Sequence, residues 1–438
     1  MESEQQPSMR TFRTLWLGQI VSLLGSEMTT FALTIWVWEQ TGQASPIALL
    51  VFFTRSPQVI AAAFAGVLVD TWDRKQLMLL GDFVAGLSTI GLLSLFLTQH
   101  LQVWHLYAIG AANGLFSYLQ SLAHSASMAV LVPKQHYARA SAMETIKGSS
   151  AYVFSPALAG VLYPSIGLIG ILAIDLVTFV IAIATLLTIS IPHPTTARDS
   201  SKQTPWQTLT FGFRYILQRP SLLSILLFLL SSNLFFSANF ALTPALILAR
   251  SGNSASMLAT VQSVFGIGGL MGAILLSLWG GTTPRIHGLL LGASLSRVGL
   301  LLLSVGRGLT IWVIAAWITA FFVPFVGSAN QAIWLAKVEP EVQGRVFAAR
   351  YLIAQAASPL GFAIAGPLAD YVFEPAMLPD RPLAGLLGGL FGTGAGAGIA
   401  LQYALLAVCG LAIGLGGYGI HRLRDVETLI PDHDTAIG

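Results

Sequence analysis

The stretch GVLVDTWDRK, residues 66–75, ends one long apolar run, crowds Asp70, Asp73, Arg74 and Lys75 into six positions, and hands over at once to another apolar run. Only the tightest turn fits between the two. The same alternation recurs along the chain. Of its 438 residues 55% are hydrophobic and only 9% are charged, whereas a soluble domain carries about a quarter charged residues. Apolar runs long enough to cross a bilayer, roughly 20 residues each, are spread over the whole length. Backbone facing lipid must satisfy its own hydrogen bonds, and these runs far exceed the strands of a barrel. The sequence therefore predicts an all-α polytopic membrane protein.

Apolar runs between polar breaks give twelve candidate spans: 13–38, 46–70, 76–98, 103–131, 144–165, 167–190, 221–249, 256–279, 286–305, 310–336, 346–370 and 397–420. The narrowest break is Tyr163-Pro164-Ser165-Ile166-Gly167, between the fifth and the sixth. If the N-terminus is cytoplasmic, the outer loops hold only Arg250, Arg307 and Arg381, the membrane interior holds Arg55 and Arg297, and every other Lys and Arg falls in the inner segments or at the inner ends of the spans. That bias matches the positive-inside rule with both termini cytoplasmic. The start, MESEQQPSMRTFR, is not the basic opening of a cleavable signal peptide. A single cysteine, Cys409, excludes an internal disulfide and a cysteine-built metal site. An excess of three positive charges is too small to point to nucleic acid.

Residues 191–220 form the longest polar stretch between spans and divide them six and six. The expected organisation is an N-terminal six-helix bundle over 1–190, a cytoplasmic linker over 191–220, a C-terminal bundle over 221–420 and a cytoplasmic tail over 421–438. Within the linker, Trp206, Leu209, Phe213, Ile216 and Leu217 share one helical face beside Arg214 and Arg219, the pattern of a helix lying in the inner membrane surface. The halves also echo each other. VPKQHYAR (132–139) follows the fourth span and VEPEVQGR (338–345) the tenth; 21 residues beyond each final Arg lie Gly160 in GVL and Gly366 in GPL. A repeat of this kind points to a transporter, with its substrate site expected between the halves near mid-bilayer.

On this map residues 66–75 are the inner turn between the second and third spans. Gly66 permits close helix approach. Asp70 can accept from helix-start amides and pair with Arg74. The stretch resembles the signature loop of the major facilitator superfamily, G-x-x-x-D, two residues, then G-R-K/R: Gly66, Asp70, Arg74 and Lys75 match, and Asp73 replaces the second Gly. SPALAG, 155–160, resembles the antiporter motif G-P-x-x-G-G through Pro156 and Gly160, with Ser155 and Ala159 standing for glycines. IDLVTF (174–179), VEPEVQGRVFA (338–348), GTGAGAGIAL (392–401) and RLRDVETLIPD (422–432) look like the bacterial exporter branch that includes macrolide-efflux and enterobactin-exporter-like proteins. The resemblance implies twelve helices in two pseudo-symmetric bundles. It also implies a conformational latch in which Asp70, with Asp73, Arg74 and Lys75, engages the inner end of the eleventh span near Arg345 and Arg350. LWGGTTPRIHG (278–288), at the equivalent place in the second half, keeps Arg285 but has no acid.

Charges inside hydrocarbon are costly and mark functional or paired sites. Glu27 lies 14 residues beyond Arg13, and Arg55 lies 15 residues before Asp70. At 1.5 Å per residue both sit about 21–22 Å from the inner end. They form either a structural ion pair or a proton-coupling site, because burial and a nearby cation pull a carboxyl group's proton affinity in opposite directions; Glu27 bordering a cationic substrate is a third reading. Asp82, Asp175 and Arg297, in the third, sixth and ninth spans, are read as structural, with Asp82 close enough to the signature turn to join the inner charges.

By the same resemblance the first, fourth, seventh and tenth spans line the cavity, with Gln19, Asn113, Gln120, His124, Asn233, Asn239, Asn330 and Gln331 as its polar residues and Phe325 among its aromatics. Few charges and many aromatics suit an amphipathic or lipophilic small molecule. The sequence carries no phosphate-cradling loop with Lys-Ser/Thr, zinc-ligand helix or serine elbow, so no enzyme is expected. The expectation is a monomeric secondary transporter of a bacterial plasma (inner) membrane, surrounded by membrane lipid. It would need no cofactor, draw on the proton gradient, and export a drug-like or siderophore-like molecule by alternating access. The alternative is a lipid or lysolipid flippase or importer on the same scaffold.

Overall fold

The computed structural model describes residues 8–62, 64, 68, 72–189 and 205–433, and among these every regular element is helical. They fold as two compact units. One holds the described residues up to Val37 and those from Phe53 to Ile189; the other holds Trp38–Phe52 and everything described from residue 205 onward.

The first unit is built from α1 (Met9–Thr41), α2 (Ala44–Ala61), α3 (Arg74–Leu97), α4 (Val103–Leu131) and α5 (Tyr137–Thr188), with the Trp38–Phe52 portions of α1 and α2 assigned to the other unit. Gly167 divides α5. Its backbone adopts φ 61°, ψ −168°, three residues after Pro164, a conformation a Cβ disfavours. A straight helix of 52 residues would be about 78 Å long, against a hydrocarbon core of about 30 Å. The break falls in the short interruption that the sequence places between the fifth and sixth spans. Glycine also sets helix spacing. A Cβ on Gly114 of α4 would lie 2.0 Å from the Thr54 carbonyl oxygen of α2, so backbone meets backbone there. Leu15, Leu77, Met78, Ala123 and Leu186, from α1, α3, α4 and α5, form a buried apolar core.

The second unit holds α6 (Pro205–Leu217), α7 (Pro220–Arg250), α8 (Ala255–Trp279), α9 (Arg285–Val305), α10 (Leu309–Lys337), α11 (Gln343–Gln355), α12 (Ser358–Leu368), α13 (Pro382–Phe391) and α14 (Ala397–Gly416). A π-helical turn, Ala369–Phe373, continues α12. Tyr215 and Ile216 of the linker helix α6 are buried with Leu222, Ile286, Leu289, Ile333 and Trp334, while Leu217 is 61% exposed. Protein therefore covers part of the apolar face that the sequence assigns to the membrane surface. The tail is also docked: the Lys337 ammonium donates to the carbonyls of Glu427 (2.8 Å) and Ile430 and pairs with Asp432 at 2.7 Å.

Ten helices among the described residues are long and apolar enough to cross a bilayer, fewer than the twelve spans expected. Lys134–Thr188 counts once despite its break, and α4, although 29 residues long, is not among the ten; it carries Asn113, Gln120, His124 and four serines. Large apolar side chains such as Val161, Leu278 and Leu386 are more than 70% exposed, the arrangement of helices whose outer surface meets lipid.

Candidate functional site

Two residues of the expected latch, Gly66 and Asp70, lie outside the described residues. The rest of the turn is tied to helix ends of the first unit. Asp73 caps α3 by accepting from the Gln76 amide at 2.7 Å. Arg74 Nη1 donates to the Ala126 carbonyl near the end of α4 (3.0 Å), and Lys75 Nζ to the carbonyls of Leu187 and Ile189 at the end of α5 (3.3 and 2.5 Å). Cations at helix C-termini and an acid at an N-terminus each suit the helix dipole. Their expected partners behave differently. Arg345 stacks on Phe211, 4.1 Å from the ring centre. Arg350 donates to Gln331 Oε1 at 2.7 Å and lies over Phe347 at 4.5 Å.

Within the first unit, Glu27 is half-buried in α1 and feels the positive charge of Arg55 in α2. Lower in α1, Gln19 joins a network centred on Asp82, which is 3% exposed. Gln19 Nε2 donates to Asp82 Oδ2 at 3.2 Å, and Gln120 Nε2 to Asp82 Oδ1 at 2.6 Å and to Gln19 Oε1 at 3.2 Å. Helices α1, α3 and α4 are stitched together there by one carboxylate and two amides. Asp175 is held in the same way, by hydroxyls. Ser26 donates to its Oδ1 at 3.1 Å, and Thr29 and Thr89 to its Oδ2 at 3.1 and 2.9 Å. Gly25 makes room, since a Cβ there would sit 3.0 Å from Asp175 Oδ1.

His124, expected on a cavity wall, is 5% exposed and bonded through Nε2 to Glu144 Oε1 at 2.8 Å; Lys147 Nζ closes the cluster on Glu144 Oε2 at 2.6 Å. Sequence reasoning missed Glu144. It lies 20 residues from His124, across a helix reversal, and its only local sign is Lys147 three positions on. Asn113 accepts from Ser88 at 3.0 Å. Ser155, Pro156 and Gly160 are all buried in α5, as a packing motif requires.

In the second unit Asn233 donates to the Ala354 carbonyl at 2.8 Å and to Gln355 Oε1 at 3.3 Å. Asn239 is fully buried among the apolar residues of α7, and neither side-chain polar atom has a partner among the described residues. Phe325 packs with Phe321, Phe322 and Trp279 in an aromatic cluster. Asn330 is half-buried, and its Oδ1 has no partner among the described residues. Arg297, 4% exposed, donates to Ser232 Oγ at 2.9 Å and lies 4.7 Å from the centre of the Phe236 ring. The buried groups Asp82, Asp175 and Arg297 therefore make their hydrogen bonds to neutral polar groups, and Arg297 Nε has no partner among the described residues. No group of three or more His, Cys, Asp or Glu residues able to hold a metal occurs among the described residues.

The Major Facilitator Superfamily model matches residues 15–362. Macrolide efflux protein A of Streptococcus pyogenes is 27% identical over 365 residues, covering 82% of this chain and 90% of that protein. The enterobactin exporter EntS of Citrobacter koseri is 26% identical over 212 residues, 48% of this chain and 50% of its own. Among solved structures, a bacterial homologue of the human lysosomal transporter Spinster aligns over 93% of this chain and 95% of its own, with a TM-score of 0.64 and 16% identity. The nucleoside transporter NupG aligns over 93% and 98%, with a TM-score of 0.67 and 12% identity. At such identities the structures speak for the fold alone.

Proposed function

The chain belongs to the Major Facilitator Superfamily of transporters, and from that premise we propose that it is a proton-driven exporter of an amphipathic small molecule, working by alternating access. Both chain ends lie on the cytoplasmic face of a bacterial inner membrane in this reading, as the distribution of Lys and Arg favours. The observation that carries export is the likeness to a macrolide efflux protein along most of the chain. Glu27 and Arg55 support proton coupling, since an acid and a base in adjacent helices of one unit let a change in solvent access move a proton on or off the acid. Neutral amides and phenyl rings favour an amphipathic cargo.

The deciding experiment is an efflux panel of dyes and antibiotics in a host stripped of its own pumps. Expression lowers accumulation of at least one lipophilic compound, and collapse of the proton gradient restores it. Unchanged accumulation across the panel, together with translocation of a fluorescent lysolipid in proteoliposomes, would transfer the assignment to lipid transport.

A further inference from the structure

The end of α1 and the start of α2 belong to the second unit, although both helices continue in the first. Their connection is Gly42-Gln43, with Gly42 at φ 61°. Asp370, more than three hundred residues further along the chain, caps α2: the amides of Ala44 and Ser45 donate to its Oδ1 and Oδ2 at 2.8 and 2.7 Å. One carboxylate thus takes two amides at the positive end of a helix, a charge-assisted arrangement. Asp370 lies in the π-helical turn Ala369–Phe373, a kind of helix irregularity frequent at functional sites.

Two further contacts hold the same hairpin. A Cβ on Gly366 would meet the Ser45 Cα at 2.4 Å and the Ala48 Cβ at 3.0 Å, so α12 and α2 touch through backbone. Gly366 is the glycine that the internal sequence echo singles out, and this close approach gives it a reason. On the other side of the turn, Trp38 Nε1 donates to Asn253 Oδ1 at 2.7 Å. Ala44 is fully buried and Ser45 is 7% exposed.

We infer that Asp370 is a positioning residue of the transport cycle: it pins the Gly42-Gln43 hairpin in one state and releases it in the other. Hydrogen bonds and a glycine contact suit a reversible clamp better than interdigitated apolar side chains would, because both partners can be rehydrated on release. The inference rests on alternating access, and on neither the direction nor the identity of the cargo.

The test uses purified full-length protein with Cys409→Ser and one reporter, either Ser45→Cys at the clamp or Ser127→Cys, a fully buried site in α4. N-ethylmaleimide labelling rates are read with and without Asp370→Ala. The Ser45→Cys rate is expected to rise by about tenfold, the change made by losing about 1.4 kcal/mol of hydrogen bonding. The Ser127→Cys rate stays unchanged, and Asp370→Glu returns the Ser45→Cys rate toward that of the parent. An unchanged Ser45→Cys rate, or an equal rise at both reporters, overturns the proposal, the second outcome marking Asp370 as merely structural. If Asp370→Ala cannot be purified, Asp370→Asn and Asn253→Ala carry the same comparison. Because no cargo enters the assay, failure of the export reading leaves its outcome intact.

Discussion

Gln120 Nε2 stands 2.6 Å from Asp82 Oδ1, a bond between α4 and α3 that Gln19 of α1 completes from the other side. With Asp82 only 3% exposed, water cannot stand in for a missing donor. Gln120→Leu should therefore lower stability by about 1–2 kcal/mol, toward the upper end of what hydrogen bonds contribute in membrane proteins. Gln19→Leu should cost less, because its 3.2 Å bond is the longer. Thermal unfolding of the two variants in one detergent checks the order. Equal midpoints for both variants and parent would mean that the carboxylate finds other partners.

Glu27→Gln keeps size and hydrogen-bonding capacity but cannot exchange a proton. In proteoliposomes with an imposed pH gradient it should abolish uphill transport while leaving downhill exchange of the same compound measurable. Retained gradient-driven accumulation would place coupling elsewhere, with His124 and Glu144, 2.8 Å apart, the next pair to examine.

Glycines at two sites in the first unit should respond oppositely to a methyl group. At Gly114 the new Cβ would lie 2.0 Å from the backbone oxygen of Thr54, which cannot rotate away, so α2 and α4 must separate. Gly114→Ala is expected to destabilise by about 2–4 kcal/mol, in the range of strain and lost packing in a core. At Gly91, inside α3, nothing lies within 4 Å, and Ala should stabilise by about 0.5–1 kcal/mol through helix propensity. A pair of melting curves decides it.

These cases show what was legible in the sequence. The all-helical character and the break near Gly167 follow from hydropathy and turn residues, which act locally. Residue counts from the turn fix depth, and so place Glu27 and Arg55 at one level of the first two helices. Depth says nothing about azimuth: only helix packing decides that the Asp82 carboxylate turns toward Gln19 and Gln120. Asn239, which the resemblance and its polarity place on the cavity wall, is completely buried, because a span's identity does not fix which of its faces a residue occupies. Glu144 escaped notice because a charge near a helix start is unremarkable until the opposing helix supplies His124.

The docked tail gives a pH dependence outside the membrane. Lys337 donates to Asp432, holding its carboxyl below the ordinary value of 3.8. A depressed pKa means that the native state binds its proton less readily than the undocked chain does. The contribution to docking is therefore full at neutral pH, above the undocked value, and is lost as pH falls through the docked one. Asp432 is half exposed, so screening keeps the effect small. Hydrogen exchange of the 421–432 amides should slow in the parent relative to Asp432→Asn at pH 7, with the difference vanishing below the carboxylate range. A difference that persists in acid would assign docking to the carbonyl bonds of Lys337 alone.

The two acids of the opening stretch should separate cleanly by function. Asp73 caps α3 through the Gln76 amide, a task that Asn performs nearly as well. Asp73→Asn is therefore expected to fold and transport like the parent, and Asp73→Ala to lose about 1 kcal/mol of stability while still transporting. Asp70, if it is the latch, needs its charge: Asn retains an acceptor but loses the attraction to helix-start amides and to arginine. Asp70→Asn should leave the melting temperature within a few degrees of the parent and abolish efflux in the pump-deficient host. Running the four proteins side by side separates folding from cycling. Efflux at the parental rate in Asp70→Asn, or its loss in Asp73→Asn at unchanged stability, would reverse the two assignments and leave residues 66–75 as a charged turn that only orients the chain.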